Sequence, residues 1–220
     1  MDQATAAGPS TPSFLLFAGT DISRYGLFLN GGLVWSPAGI DADGFTFKAL
    51  LNGGNYTYFS DGLHANVDGT LLAAAAMPGW RFTHDNLTVS LFAGPTVQDY
   101  RLSPYDPGSR LHRLYAGGEF AADIWYQPTA ATMAALSGAI ASIGPTGSLR
   151  AAFGVRLFDQ VFVGPEVQGI WCGNYDEARF GAQVTALHIG TVDWSAAGGW
   201  SLTSDQRQGP YVRFGAAARY

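Results

Sequence analysis

The sequence predicts an all-β fold, a closed, up-and-down antiparallel transmembrane β-barrel of about 12 strands. Three observations predict this fold class: apolar and polar residues alternate in run after run, no apolar segment is long enough for a spanning helix, and charged residues are scarce. The 220 residues include 29 glycines, 14% aromatic residues and 13% charged residues. Typical soluble domains contain about 25% charged residues, so we expect much of this chain to face something other than water.

Composition and charge exclude several other classes of protein. The segments poorest in charge, 71–80 and 130–143, are shorter than the roughly 18 apolar residues that a spanning helix needs. The 47% of apolar residues excludes a disordered chain. A net charge of −5 with a single lysine, Lys48, offers no basic surface for nucleic acid. Cys172 is the one cysteine, which excludes an intrachain disulfide.

The predicted strands are runs of alternating residues separated by breaks rich in Gly, Pro, Asp, Asn or Ser. They cover approximately residues 14–22, 25–36, 44–58, 68–82, 87–101, 112–126, 130–142, 147–158, 160–171, 177–189, 192–202 and 210–220. We define the end of the barrel that the first strand runs towards as the upper end. Upper breaks such as 59–68 and 102–111 are predicted to be longer than the lower turns, with 36–44 as an exception.

Alternation by itself leaves two interpretations open. Leu149, Ala151, Phe153, Val155 and Leu157 interleave with Arg150, Gly154 and Arg156. A barrel with an apolar outer face and a charged lumen has this pattern, and so does a water-soluble sandwich with an apolar inner face. The aromatic residues favour the barrel, because the predicted strands place them at two levels, as two membrane interfaces require.

The predicted aromatic belts lie at the strand ends. The expected lower belt contains Trp35, Trp80, Trp125 and Trp194, and the expected upper belt contains Trp171 and Trp200 with Tyr25, Tyr58, Tyr100 and Tyr175 nearby. The last strand alternates and ends on the aromatic Tyr220, which resembles the terminal signal by which outer-membrane barrels are recognised for assembly.

The two ends of the chain indicate its domain organisation and location. Residues 1–12 are small and polar and are predicted to form a flexible lead-in, and residues 13–220 a single barrel domain. The first residues lack the basic start and apolar core of a secretory signal, so we interpret the chain as a mature bacterial outer-membrane protein after signal-peptide removal. A native cytoplasmic start is the alternative.

The alternation also predicts a charged lumen. The faces that we assign inward carry nine charged residues: Lys48, Glu119, Asp123, Arg150, Arg156, Glu166, Arg179, Arg213 and Arg219. Buried charges must pair or be solvated. These residues are therefore expected to form either a structural ion-pair network that fills the barrel or a constriction that selects small anions or acidic sugars.

Several segments resemble the family of cellulose-biosynthesis-associated outer-membrane barrels of the BcsS type. They are FAGTDISR at 17–24, YRLSPYDP at 100–107, GE at 118–119, WYQPT at 125–129, VGPEV at 163–167 and YDEARFGA at 175–182. With the final strand they span nearly all of residues 14–220. The resemblance implies an accessory role in cellulose or related exopolysaccharide secretion, and it brings no catalytic residues.

Two function classes follow, with a distant third. The first is an accessory barrel whose partners are outer-membrane lipid and polysaccharide or secretion components; the second is a small diffusion channel for anions or acidic saccharides. A lipid hydrolase is the third, because His112 lies near the rim and Ser90 and Ser137 lie deeper on nearby strands. We expect no enzyme activity, because the four histidines are scattered along the chain, and no cofactor. No metal is expected either, since Asp41-Ala42-Asp43-Gly44 lacks the acidic twelfth residue of a calcium loop.

Overall fold

A computed structural model describes residues 12–144, 146–172 and 175–220 as a barrel of antiparallel strands. The strands are β1 (Phe14–Ser23), β2 (Gly26–Trp35), β3 (Gly44–Ser60), β4 (Ala65–His84), β5 (Leu87–Ser103), β6 (Leu114–Thr129), β7 (Thr132–Ala141), β8 (Thr146–Leu157), β9 (Val161–Cys172), β10 (Tyr175–Ile189), β11 (Val192–Thr203) and β12 (Gln208–Arg219). Each strand pairs with the next, and β12 pairs with β1, which closes the sheet. The predicted closed up-and-down barrel of twelve strands is confirmed.

Two sequence-based expectations lie at the limits of the described chain. Residues 1–11 of the predicted lead-in and the side chain of Tyr175 lie outside the described residues. In the part that the structure describes, no helix is long and apolar enough to cross a membrane.

The outer face of the barrel is apolar. Large side chains at alternate positions point outward and stay exposed, including Leu51 and Leu72, which are each 62% exposed. Phe120, Phe153 and Phe180 are also exposed, on β6, β8 and β10. The buried apolar residues of the interior form only small clusters, one of which contains Met77 and Phe92. A water-soluble protein rarely exposes such a continuous apolar surface, whereas a barrel in lipid requires it.

The hairpin of β3 and β4 extends further than the sequence predicts. The expected break at 59–68 is wrong, because pairing continues to Ser60 and Ala65 and leaves a turn of residues 61–64. The outward positions here are mixed: Phe59 is exposed opposite Asn66, and Thr57 donates to Asp68, 2.7 Å apart, while Val67 is buried on the inner side. Polar outward residues such as Asn66 and Asp68 interrupt the apolar alternation, so a search for that alternation ends the strands too early.

The structure also corrects the lower aromatic belt. Trp125 shares the inward parity of Asp123, lines an interior cavity and packs edge-on against Phe162 with ring centroids 6.1 Å apart. Its place in an outward belt is therefore wrong, and Tyr126 takes the outward position beside it. The prediction was based on the position of Trp125 near the lower end of its strand and did not consider which face of the sheet its side chain occupies. Tyr58 and Tyr100 also point inward, since both contact interior groups.

Tyr25 also lines the interior, and the guanidinium of Arg207 lies 4.2 Å from its ring centroid. Apart from Trp125, the belt tryptophans point outward, and so does Tyr220. Trp35, Trp80 and Trp194 are exposed towards the lower end, and Trp200 is exposed towards the upper end. Trp171 is half-buried with its ring beside Gly147, and Tyr220 follows β12, where its backbone pairs with Phe14.

Candidate functional site

A central cavity and a smaller one lie in the interior of the barrel, lined by described residues. The central cavity has a volume of about 680 Å³ and is lined from every side of the barrel, whereas the smaller one, of about 240 Å³, lies between Arg81, Trp125 and Arg150. A barrel of 12 strands has a backbone diameter of about 24 Å, so inward side chains reach far towards the axis. The interior is therefore partly filled, and its charged side chains can meet across it.

One group of charges, which we name the acidic triad, is centred on Arg179 of β10. Its guanidinium donates through Nε and Nη2 to the two carboxylate oxygens of Glu177, at 2.8 and 3.0 Å. Nη1 donates to both oxygens of Asp21 on β1, each 2.6 Å away. The Arg179 side chain is 2% exposed. Such planar, bidentate pairing is the strongest form of ion pair available to arginine, and here it joins β10 to β1 across the interior.

A second group, the basic triad, has the opposite composition. Glu166 of β9 is completely buried, and its Oε2 accepts hydrogen bonds from Arg213 of β12 at 2.5 Å and from Arg150 of β8 at 3.3 Å. Arg150 also donates to the hydroxyl of Ser137. The second oxygen of Glu166, Oε1, has no hydrogen-bond partner among the described residues. One carboxylate therefore holds two cations.

A third group, a single ion pair, lies lower in the interior. Lys48 of β3 donates to Asp123 of β6 at 2.8 Å, and its ammonium lies 5.1 Å from the ring centroid of Phe92 and 5.9 Å from that of Phe17. The strands joined in this pair are three steps apart around the barrel. The same spacing separates β9 from β12 and β10 from β1, so the three interior groups connect separate parts of the wall.

The other predicted lumen residues are distributed differently. Arg156 lies over the ring of Phe162, 4.7 Å from its centroid. Arg219 contacts both oxygens of Asp41 at the lower end, each at 3.1 Å. Glu119 lines the central cavity and makes no ion pair with any described residue. The single network expected from neighbouring strands is thus divided into separate groups.

Sequence reasoning missed three acidic partners, Asp21, Glu177 and Asp41. Asp21 has the same parity as Phe17 and Gly19, both of which line the cavity, and Glu177 has that of Arg179. Parity could therefore have assigned Asp21 and Glu177 to the inner face. Asp41 belongs to the lower loop after β2, for which alternation gives no signal.

The loop at 104–113 folds inward at the upper end. Tyr58 donates its hydroxyl to Asp106 at 2.9 Å, and the amide of Gly108 donates to the same carboxylate. Leu111 is buried against Tyr100 and Ile143. The loop therefore covers part of the opening.

The turn at 204–207 covers a different part of the upper end. β3 continues beyond the last residue that pairs with β2, which leaves a free strand edge. Asp205 accepts a hydrogen bond from the amide of Phe59 at 3.3 Å, and Arg207 donates to the carbonyl oxygen of Thr57 at 2.7 Å. These side chains pair the groups that an edge strand would otherwise expose.

The two loop carboxylates are held in their ionised form. Burial acts to raise the pKa of Asp106, but hydrogen bonds from Tyr58, Ser60 and the amide of Gly108 outweigh it and lower the pKa below its ordinary value. Burial likewise opposes ionisation of Asp205, and Arg207, Thr203 and the amide of Phe59 lower its pKa. Both loop contacts are therefore strongest when these carboxylates are charged.

The hydrolase geometry is not assembled among the described residues. The hydroxyls of Ser90 and Ser137 accept hydrogen bonds from Arg81 and Arg150 inside the barrel. His112 pairs through Nδ1 with the carbonyl oxygen of Ser109. The described residues also contain no group of three or more His, Cys, Asp or Glu side chains that could hold a metal ion.

The closed sheet, its apolar exterior and its charged interior define a β-barrel of the outer-membrane type. Two solved structures share this fold at a TM-score of 0.58. An outer-membrane channel from Pseudomonas putida F1 is 9% identical, with 100% of both chains covered. The CymD monoaromatic hydrocarbon channel is 8% identical, with 96% of this chain and 89% of that chain covered. At these identities the likeness concerns the fold alone.

The chain belongs to the cellulose biosynthesis protein BcsS family, whose profile matches residues 15–220. The family resemblance expected from the sequence motifs is thereby confirmed, and membership gives the protein a role in cellulose biosynthesis. A comparison with curated proteins found no match to the chain.

Proposed function

We propose that this protein is a non-enzymatic outer-membrane barrel with an accessory role in the secretion of cellulose or a related exopolysaccharide. One observation carries the proposal: the cations near the middle of the barrel are bound to carboxylates, with Arg179 between two acids and Glu166 between two arginines. A path for anions needs cations that are free to meet the permeating ion. These cations instead cross-link the wall.

The proposed location follows from the outer face. Exposed Trp35, Trp80 and Trp194 near the lower end and Trp200 near the upper end suit the two interfaces of a bilayer. The upper loops would then contact the polysaccharide or other secretion components outside the membrane. Family membership supports the cellulose machinery as the source of those partners.

Deletion of the gene in a cellulose-producing host tests the proposal. Secreted cellulose should fall, while glucan synthesis by isolated inner membranes stays unchanged, because the barrel acts after polymerisation. Complementation with the wild-type chain should restore secretion and place the protein in the outer-membrane fraction. Unchanged secretion in the deletion strain would exclude the accessory role.

A small diffusion channel for anions or acidic saccharides is the second candidate. The central cavity of about 680 Å³ favours it. Single-channel recordings of the refolded protein in a planar bilayer separate the two candidates. The accessory role predicts no defined conductance steps for either the wild type or Glu166→Ala. Regular steps that become more anion-selective in Glu166→Ala would establish the channel instead.

A further inference from the structure

Two aromatic rings lie side by side on the inner wall where β2 meets β3. Phe28 and Tyr56 have ring centroids 6.3 Å apart and planes inclined by 16°. Tyr58 continues the series, 6.2 Å from Tyr56 at 22°. The ring of Phe17, lower on β1, carries the ammonium of Lys48. We name Phe28 and Tyr56 the aromatic platform.

Glycines on the neighbouring strands let these rings lie flat. A Cβ atom at Gly54 of β3 would come within 2.5 Å of Cδ1 of Phe28. A Cβ atom at Gly69 of β4 would come within 2.7 Å of Cε1 and Cε2 of Tyr56. Each ring therefore rests one face on a glycine of the next strand, a close approach that any side chain there would block. The opposite face of each ring is left for the interior.

The free faces border the central cavity beside a set of amide side chains. Phe28 and Tyr56 both line this cavity and are half-buried. Asn30 and Asn52 also line it, and they lie directly opposite each other on β2 and β3. Flat apolar surfaces thus adjoin groups that can each donate and accept hydrogen bonds.

The charges around this surface disfavour an acidic ligand. Carboxylates outnumber cations among the charged side chains that line the same cavity: Asp21, Glu119, Asp123, Glu177 and Asp193 against Lys48, Arg150, Arg179 and Arg213. Glu119 makes no ion pair with any described residue, whereas Lys48 is occupied by Asp123. A ligand with carboxylates would therefore meet a net negative cavity lining.

We propose that the aromatic platform binds a neutral oligosaccharide of pyranose rings with equatorial hydroxyls. Such rings have apolar C–H faces that can stack on Phe28 and Tyr56, and edge hydroxyls that can reach Asn30 and Asn52. A cavity of about 680 Å³ falls in the size range of small-molecule sites. This inference rests on the proposed secretion role and deepens it, because it makes the glucan itself a ligand of the barrel interior.

Titration calorimetry on the refolded full chain tests the platform. Cellotetraose is the probe, and the detergent must lack a sugar headgroup, since a maltoside would compete. Wild-type protein should bind cellotetraose, and Phe28→Leu and Tyr56→Leu should each bind about tenfold more weakly, because leucine keeps the apolar volume but removes the flat face. Trigalacturonate, the acidic probe, should bind far more weakly than cellotetraose.

Phe92→Leu is the matched control. Phe92 also rests on a glycine, Gly79, but it is 1% exposed and does not line the cavity. Its replacement should leave cellotetraose binding unchanged. Heat-dependent gel migration verifies that each variant is folded. If a ring variant does not fold, Asn52→Ala replaces it in the test, because this variant keeps both rings and should also weaken cellotetraose binding.

Three outcomes would contradict the proposed binding site. They are no binding of cellotetraose to the wild type, equal binding of cellotetraose by the wild type and both leucine variants, and binding of trigalacturonate as tight as that of cellotetraose. The deletion experiment is independent of these results. Reduced secretion in the deletion strain, together with no cellotetraose binding, would refute the platform and keep the secretion role. Platform-dependent binding with unchanged secretion would support the site and refute that role.

Discussion

The two interior triads have opposite composition and unequal exposure. The acidic triad places one cation, Arg179, between two carboxylates, while the basic triad places one carboxylate, Glu166, between two cations. The carboxylates of the first triad outnumber its cation by one, and the cations of the second triad outnumber its carboxylate by one. Asp21 of the first triad and Arg213 of the second are direct cross-strand partners on β1 and β12. Opposite charges so placed stabilise each other, and the two triads form one electrostatic unit.

Exposure distinguishes the triads. Loss of Arg179 would remove the cation that Glu177, which is 5% exposed, shares with Asp21. Loss of Glu166 would leave Arg150, which is 33% exposed and borders both cavities. An uncompensated charge costs more where water cannot reach it. The contribution of an interior ion pair to stability therefore depends on how well water can solvate the charge that remains when its partner is lost.

The largest effect is expected from Arg179→Met. The buried Glu177 and the partly exposed Asp21 would lose the cation that they share, so the free energy of unfolding should fall by about 3–5 kcal/mol. Urea titration of the refolded protein, followed by heat-dependent gel migration, measures this. Arg101→Met removes a pair on an 81% exposed arginine and should change stability by less than about 1 kcal/mol. Equal losses in the two variants would contradict the comparison.

Glu166→Ala should have the next largest effect. It frees two arginines that repel each other, but both can turn towards the cavity water, so we expect a loss of about 2–4 kcal/mol. The same urea titration applies, with Glu119→Ala as the control, because Glu119 has no ion pair among the described residues. A loss above that of Arg179→Met would reverse the proposed order of the triads.

Combining the two changes in one variant tests whether the two triads are coupled. Arg179→Met leaves excess carboxylates and Glu166→Ala leaves excess arginines on neighbouring strands, so the freed groups can compensate each other. The double variant should lose less stability than the summed single losses, by about 1 kcal/mol. A double-mutant cycle measures the coupling. Strict additivity would mean that the two triads are independent.

The pair of Lys48 and Asp123 should contribute less than either triad. The Asp123 side chain is 44% exposed, so water can solvate it once Lys48 is lost. Lys48→Met keeps the contact with Phe92 and should cost about 1 kcal/mol or less in the urea titration. A cost comparable to that of Glu166→Ala would show that this third pair belongs to the same electrostatic unit.

The smallest effect concerns the upper loops and pH. Because the folded-state pKa of Asp106 lies below its ordinary value of 3.8, its stabilising contribution is complete above that value and is lost as the pH falls through the lowered pKa. Hydrogen exchange of residues 104–113 should therefore stay slow from neutral pH to about pH 4 and accelerate below it, after correction for intrinsic rates. Asp106→Asn should remove this pH dependence. An unchanged profile would show that Asp106 does not hold the loop.

The barrel fold, the number of strands and most of the strand limits could be predicted from the sequence alone. The reason is that side chains alternate strictly between the two faces of a strand, so residues facing lipid and residues facing the lumen alternate along the sequence. This alternation assigns Arg150 and Glu166 to the inner face without any knowledge of the fold. It also placed Trp125 with Asp123, which the expectation from strand ends overlooked.

The contacts between interior side chains, in contrast, follow only from the tertiary structure. Alternation gives the face of a residue but not the register between strands. Three of the interior pairs, Arg179–Asp21, Arg213–Glu166 and Lys48–Asp123, join strands that are three steps apart around the barrel. Arg179 and Asp21 are separated by 158 positions in the chain, and their contact depends on closure of β12 onto β1. The aromatic platform likewise needs Gly54 and Gly69 on adjacent strands at the level of Phe28 and Tyr56. Such contacts arise from the geometry of the closed sheet, because neither the spacing nor the identity of the residues fixes a distance across its interior.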